Sequence, residues 1–316
     1  MAFQTMCLIS GSANLPLSRA IAARANLRLG ETTLRRFSDG EIFVEIDENV
    51  RGSDAFVIQP TCPPVNDNLM ELLILVDALK RASVASITAV CPYYGYARQD
   101  RKVAPRTPIS AKLVADLLQA AGVTRMVSLD LHAGQIQGFF DVPFDNLYGL
   151  EVLVPRLEHL MEKEVVVVSP DAGGVIRATA FAKRLGAGLA IIDKRRPKPN
   201  ESAVMNIIGE IKGCDCIIVD DMVDTAGTLT NSVRALLEGG ANRVFAGATH
   251  GVLSGPAIDR LHESDIEKLV VTDTIPVSEE ARQRGRIEVV SCAGLLGEAI
   301  KRIHTGDSVS GLFSDY

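Results

Sequence analysis

The sequence predicts an α/β fold of two tandem domains, each a mostly parallel, doubly wound sheet. Three observations predict it. Short Val- and Ile-rich runs alternate with helix-patterned segments along the chain, the order that builds parallel sheets with helices on both faces. The 316 residues exceed what one hydrophobic core usually serves. Trp is absent and aromatics are 5% of residues while 47% are hydrophobic, so the cores are aliphatic, as suits strands buried on both faces.

In the first half, Met6–Ile9, Ala55–Ile58, Ile87–Val90 and Met126–Leu129 read as strands, being short apolar runs bounded by polar turns. Asp67–Arg81 and Pro108–Ala121 read as helices, the second starting in earnest at about Ser110 because Pro105 and Pro108 stiffen what precedes it. The turn-rich stretch DVPFDNLYG, followed by an amphipathic pattern, puts the domain boundary near Gly149–Leu160. The expected domains are 1–150 and 151–299, with the tail from about 300 to 316 returning to the first. In the second half, Val165–Val168, Leu189–Ile192, Ile217–Val219, Val244–Ala246 and Leu269–Val271 read as strands, and Gly174–Leu185 and Gly227–Glu238 as helices.

Composition narrows the function. A net charge of −6 with 23% charged residues argues against a broad nucleic-acid surface. No apolar run reaches the roughly 18 residues of a membrane span. The start MAFQTMCLIS lacks the pattern of a signal peptide, so a cytoplasmic protein with no membrane partner is expected. The six cysteines show neither a disulfide framework nor zinc spacing. Cys214 and Cys216 alternate with Asp215 and so share one face of an extended segment. A metal-ligand pair is one reading of them, and two small buried thiols the favoured one.

The most informative segment is Ile217 to Thr230, IIVDDMVDTAGTLT. An apolar strand ends in Asp220 and Asp221, and burying charge there is costly without a partner. Vicinal sugar hydroxyls are such a partner. Asp224, Thr225, Ala226, Gly227 and Thr228 follow, then a helix pattern. Small residues let backbone N–H groups turn toward a phosphate, and the helix N-terminus adds partial positive charge. A plain strand–turn–helix with Thr228 as N-cap is the bland alternative. Two further nucleotide folds are excluded, since neither GxxxxGK[ST] nor GxGxxG occurs.

Other motifs are ambiguous alone. Phe37-Ser38-Asp39-Gly40-Glu41 reads as a hairpin turn, or as a base-reading edge with Phe37 stacking. The basic run with Arg98 and Gln99 follows a strand, where it meets phosphate or purine or is simply solvated. His132 ends a further strand and is a metal or substrate candidate. Asp171, in SPDAGG, makes an Asx turn into a helix or orders a Mg²⁺ ion near a phosphate chain. The stretch Asp193 to Asn200 carries Lys194 and Arg196, and its prolines rule out a stable helix. It is a solvated loop or a lid that closes on a charged transition state.

FSDGE, YGYARQDR, DLHAGQIQGFF, SPDAGG and VDDMVDTAGTLT, in that order, resemble the ribose-phosphate diphosphokinases, or phosphoribosyl pyrophosphate synthetases, of the phosphate-activated and ADP-inhibited class. The resemblance covers nearly the whole chain. It implies two tandem phosphoribosyltransferase-type domains, and transfer of the diphosphoryl group of Mg·ATP to the 1-hydroxyl of ribose 5-phosphate by in-line displacement. It implies that Phe37, Asp39 and Glu41 surround adenine, partly across a subunit interface, and that Arg98 and Gln99 serve ATP. By it His132 and Asp171 are Mg²⁺-associated, with His132, Lys194 and Arg196 catalytic. Asp220 and Asp221 hold the ribose hydroxyls, and Asp224 to Thr228 the 5-phosphate. Gln137, Asp145, Asn146, Ser308, Ser310 and Phe313 match regulatory positions, phosphate and ADP being the implied effectors and a homohexamer the implied assembly. Val103-Ala104-Pro105-Arg106 departs from the more charged loop common in the family. Three rival readings are a base phosphoribosyltransferase, a non-catalytic synthetase-associated protein and a ligand-sensing regulator. The paired halves, the intact cations and the missing DNA-binding domain count against them in turn.

Overall fold

The computed structural model describes residues 5–195, 204–284 and 286–313. The chain divides into two compact units. One comprises Met1–Tyr148, Thr274–Pro276 and Cys292–Phe313; the other comprises Gly149–Asp273 and Val277–Ser291.

The first unit runs β1 (Met6–Ser10), α1 (Leu15–Ala25), the hairpin β2 (Thr32–Arg36) and β3 (Ile42–Ile46), β4 (Asp54–Ile58), α2 (Val65–Arg81), β5 (Ser86–Cys91), α3 (Ser110–Ala121), β6 (Arg125–Leu129) and β7 (Phe144–Leu147). Its sheet has the order β1-β4-β5-β6-β7 and is parallel throughout. Successive strand residues face opposite ways. Ile9, Val57, Ala89 and Met126 pack under Leu72, Leu75 and Leu79 of α2 and Val114 and Leu118 of α3. Their neighbours Leu8, Phe56, Val90 and Val127 are buried as well, which is why these strands read as continuous apolar runs.

The second unit continues with α4 (Leu150–Glu158), β8 (Val165–Ser169), α5 (Val175–Leu185), β9 (Gly188–Arg195), β10 (Val204–Ile208), β11 (Asp215–Val223), α6 (Gly227–Glu238), β12 (Arg243–Gly251), α7 (Ala257–Glu263), β13 (Lys268–Thr272), α8 (Glu279–Gln283) and β14 (Ile287–Val290). Its sheet has the order β10-β9-β8-β11-β12-β13-β14, with only β10 antiparallel. One face packs on α6 and α7, the other on α4 and α5. The chain adds β9 on one side of β8, then β11 on the other. The order therefore reverses between β8 and β11, and the carboxyl ends of those strands border a switch-point crevice. The chain finally returns to the first unit as α9 (Ala293–Thr305), which packs on α1.

Strand ends differ from expectation through pairing that local pattern does not show, as β11 and β9 illustrate. β11 runs past Val219 because β12 pairs with it as far as Val223 opposite Gly251, so the acid pair lies inside a paired strand. β9 runs past Ile192 because β10 pairs with it, placing Asp193 opposite Asn206 and Lys194 opposite Met205. The first part of the cationic stretch is thus strand, not loop. The short strands β7, β10 and β14 add to those the sequence pattern predicts. Cys214 and Cys216 are both buried in the core, and burial pushes the Cys216 thiol up to about 12, which favours two structural thiols over a ligand pair.

Candidate functional site

The turn after β8 and the loop after β11 border the crevice of the second unit. In the turn, Asp171 Oδ1 accepts the Gly174 N–H at 2.9 Å, and the Ser169 hydroxyl donates to the Asp171 carbonyl at 2.7 Å. The Asx turn is therefore real and opens α5. It occupies one carboxylate oxygen and leaves the exposed residue a second. A Cβ on Gly174 would come within 2.9 Å of Ser169 Oγ, so the turn needs glycine there.

Asp220 and Asp221 meet a cation that sequence reading missed. Arg177 Nη1 lies 3.5 Å from Asp220 Oδ1 and 3.6 Å from Asp221 Oδ1. The side chains of Arg177 and Asp221 are 16% and 6% exposed, and that of Asp220 is 37% exposed. Burial, then the charge of Asp221, push the Asp220 carboxyl well above the ordinary carboxylate range, and Arg177 pulls against them. The Asp221 N–H also donates to Asp220 Oδ1 at 2.9 Å. Asp220, at the edge of the crevice, is the member presented outward.

The loop after β11 is held in one shape. Ala226 is left-handed, with φ of 59°, and precedes the first residue of α6. Non-glycine residues adopt that conformation at a cost. Alanine has no side-chain acceptor, so the first-turn N–H groups of α6 receive no side-chain cap, which leaves an end able to take an anion. Thr228 is therefore not the N-cap. The Ser254 hydroxyl donates to Asp224 Oδ1, and the Ser254 N–H donates to the Asp224 carbonyl at 3.0 Å. Arg260 Nη1 donates to the Thr225 carbonyl at 2.9 Å, and would stand 3.1 Å from a Cβ on Gly227. Thr225 and Thr228 are exposed. Free helix-start N–H groups and two exposed hydroxyls can take an anion, and the adjacent carboxylates can accept hydroxyls.

The expected residues of the first unit fall into three groups. The first is the β2–β3 turn. Gly40, φ 96°, donates its N–H to the Phe37 carbonyl, and Asp39 Oδ1 accepts the Glu41 N–H at 3.1 Å. Phe37 is 43% exposed and meets Phe43 edge-on at 5.8 Å, with Arg35 stacked 4.2 Å over Phe43. Phe37 thus offers a braced aromatic surface. The second group follows β5 and β6. The Gln99 side chain accepts the Ser110 hydroxyl at 2.6 Å, and Arg98 is exposed. Gln135 Nε2 donates to Asp100 at 2.7 Å, joining this loop to the one that carries His132. His132 is exposed, two residues after the buried Asp130, whose φ is 40°.

The third group surrounds β7 and the tail. Asp145 is paired with Arg125 at 2.7 Å, and Asn146 Oδ1 accepts the Leu131 N–H at 3.1 Å. Gln137 Nε2 donates to the Gly134 carbonyl at 3.0 Å. The Ser308 carbonyl accepts Arg302 at 3.1 Å, and the Ser310 N–H donates to Ser308 Oγ at 3.2 Å. The rings of Tyr148 and Phe313 meet at 6.0 Å, bringing the tail to the end of β7. Lys194 is placed by its strand backbone alone, and Arg196 lies outside the described residues.

Residues 6–122 match a family model described as the N-terminal domain of ribose phosphate pyrophosphokinase, and residues 195–314 one described as the phosphoribosyl synthetase-associated domain. The chain is 57% identical to the ribose-phosphate pyrophosphokinase of Bordetella pertussis, over 98% of this chain and 100% of that protein. It is 58% identical to that of Hyphomonas neptunium, over 98% and 99%. A crystal structure of phosphoribosylpyrophosphate synthetase from Mycobacterium smegmatis matches with a TM-score of 0.91 at 45% identity, covering 96% of this chain and 100% of that one.

Proposed function

The chain belongs to the ribose-phosphate pyrophosphokinase family, and on that premise we propose how its residues share the work of the reaction. The enzyme transfers the diphosphoryl group of ATP to the 1-hydroxyl of ribose 5-phosphate, giving 5-phosphoribosyl 1-diphosphate and AMP. The sugar oxygen attacks the β-phosphorus. The bond from that phosphorus to the α,β-bridging oxygen breaks, the oxygen leaves on AMP, and the hydroxyl proton is released. Such a transfer depends on alignment and on neutralising spread charge.

The uncapped start of α6 behind the left-handed Ala226 is the observation that carries the residue assignment. There Asp224 to Thr228 take the 5-phosphate, while Asp220 and Asp221 accept the ribose hydroxyls. Phe37, Asp39 and Glu41 receive adenine, and Arg98 and Gln99 the rest of ATP. Lys194 and Arg196 cover the transferred group.

No cluster of three His, Cys, Asp or Glu side chains able to hold a metal ion occurs among the described residues. Mg²⁺ usually needs only one or two carboxylates when substrate phosphates complete its shell. The exposed Asp171 of the second unit would hold an ion that arrives on ATP, and the exposed His132 of the first unit is the other residue assigned to Mg²⁺, which would supply charge neutralisation. The reading extends to phosphate and ADP as effectors acting near Gln137, Asp145, Asn146, Ser308, Ser310 and Phe313, to a homohexamer, and to a cytoplasmic location. No helix of the described residues is long and apolar enough to cross a membrane.

The test is AMP release from ATP. It is expected only with both ribose 5-phosphate and Mg²⁺ present, with an equal amount of diphosphorylated sugar by mass spectrometry. AMP release without the sugar, or a product gaining a single phosphoryl group, would overturn the reading. Phosphate is expected to raise the rate and ADP to lower it.

A further inference from the structure

We infer that Arg177 is a positioning residue for the sugar: its guanidinium spans Asp220 and Asp221 and holds both carboxylates ready to accept the ribose hydroxyls. The inference rests on the assignment of that acid pair to the sugar.

Consecutive residues of a strand point to opposite faces. Asp220 and Asp221 of β11 therefore cannot present themselves as a pair unaided. Arg177 Nη1 reaches an oxygen of each, at 3.5 and 3.6 Å. It comes from α5, the helix that Asp171 opens by accepting the Gly174 N–H. The turn assigned to the diphosphate side and the cation that binds the sugar acids thus stand on one short rigid segment.

The local position of Arg177 supports a tertiary role. It is the third residue of α5, whose first turn holds no acidic residue. A cation at a helix N-terminus opposes the helix dipole, so its own helix does not favour it there. The acid pair does.

Charge decides what the loss of Arg177 would do. Burial, then Asp221 beside it, disfavour the ionisation of Asp220 and keep its carboxyl high even with Arg177 in place; Arg177 is the cation acting against them, and its loss would raise the carboxyl further. Among the titratable groups on the surrounding elements are His250 of β12, in register with Met222, Asp171 after β8, and Asp224 directly after β11. Two adjacent, partly enclosed carboxylates without a cation tend to share a proton. A protonated Asp220 would accept sugar hydroxyls less well.

The experiment measures KM for ribose 5-phosphate and for ATP between about pH 6 and 9 in wild type, Arg177→Met and Arg177→Lys. Losing a charge-assisted partner is expected to raise the sugar KM of Arg177→Met roughly 10- to 100-fold at neutral pH. The penalty should shrink toward alkaline pH, where Asp220 ionises unaided, while the ATP KM stays within about 3-fold. Arg177→Lys should restore most of the neutral-pH affinity by restoring the charge. A sugar KM raised equally at every pH, or raised together with the ATP KM, would overturn the inference in favour of a merely structural role. If Arg177→Met fails to fold, Arg177→Lys decides: a sugar KM that departs from wild type without any pH trend overturns it. Asp220→Asn with Asp221→Asn is the separate control, since an unchanged sugar KM there would remove the assignment of the acids themselves.

Discussion

His304 Nδ1 lies 3.0 Å from Asp54 Oδ2, although the two residues stand 250 positions apart. Asp54 begins β4 and also accepts the Ser86 hydroxyl of the neighbouring β5. The C-terminal helix is thereby latched to the amino edge of the first sheet, beside its packing on α1. Both side chains are largely buried, so removing one leaves the other with an unmet bond. His304→Ala is expected to cost about 1–3 kcal/mol, and to lower the melting temperature of the first unit by about 2–4 °C per kcal/mol. Thermal unfolding followed by circular dichroism checks this, and an unchanged transition would remove the latch.

A second polar anchor should respond to acid. Asp215 has no exposed side-chain surface and accepts Arg243 Nη2 at 2.5 Å, Asn242 Nδ2 at 2.7 Å and the Glu162 N–H at 3.3 Å. Burial alone would raise its carboxyl, but these bonds outweigh it and hold the group at about 2, below its ordinary 3.8. A lowered native value stabilises fully above the unfolded one and is lost as pH falls through the native one. The contribution of Asp215 is thus intact above about pH 4 and fades toward pH 2. Asp215→Ala should cost about 3 kcal/mol, the low end for a broken buried pair because Arg243 keeps some water. Asp215→Asn should flatten the acid limb, which urea melts at pH 2 to 5 would measure.

The left-handed Ala226 makes a prediction about backbone shape. Its conformation costs an L-residue about 1–2 kcal/mol, partly offset for glycine by the greater freedom of its unfolded chain. Ala226→Gly should leave the second unit as stable or up to about 1 kcal/mol more so. Ala226→Val should destabilise it, since the site is buried and β-branched residues tolerate positive φ poorly. Chemical denaturation of the two variants gives the comparison; equal losses in both would mean that the side chain, not φ, matters at this position.

Lys194 is a cation proposed to meet the transferred group. If it covers charge that develops during transfer, Lys194→Ala should lower kcat by about 10²- to 10³-fold and change KM much less. A variant as fast as wild type, or one altered only in KM, would place this lysine outside the chemistry.

Much of the molecule was legible because parallel strands bury both faces and so show as bare apolar runs. Val165–Val168 and Ile217–Val219 show in this way, and the helical pattern of α6 has its observed ends, Gly227–Glu238. The loop proposed to take phosphate stands out in the sequence for a related reason: its acids, small residues and helix start are contiguous. Arg177 carried no such sign. It is one more arginine on an amphipathic helix, and Asp220 lies 43 positions away. Ser254 and Arg260, which hold Asp224 and Thr225, were hidden for the same reason.

What the sequence determined by itself was the class of fold, the family resemblance and the strand, loop and helix start from Ile217 to Thr230, because periodicity and short motifs are local properties of a chain. Only the tertiary structure decided where β9 and β11 stop, how the tail rejoins the first unit through His304, and which cation stands over the acid pair. Strand ends are set by the ladder of a neighbouring strand, and a charge is set by what folding brings within a few ångströms of it. Neither quantity exists until the chain has closed on itself.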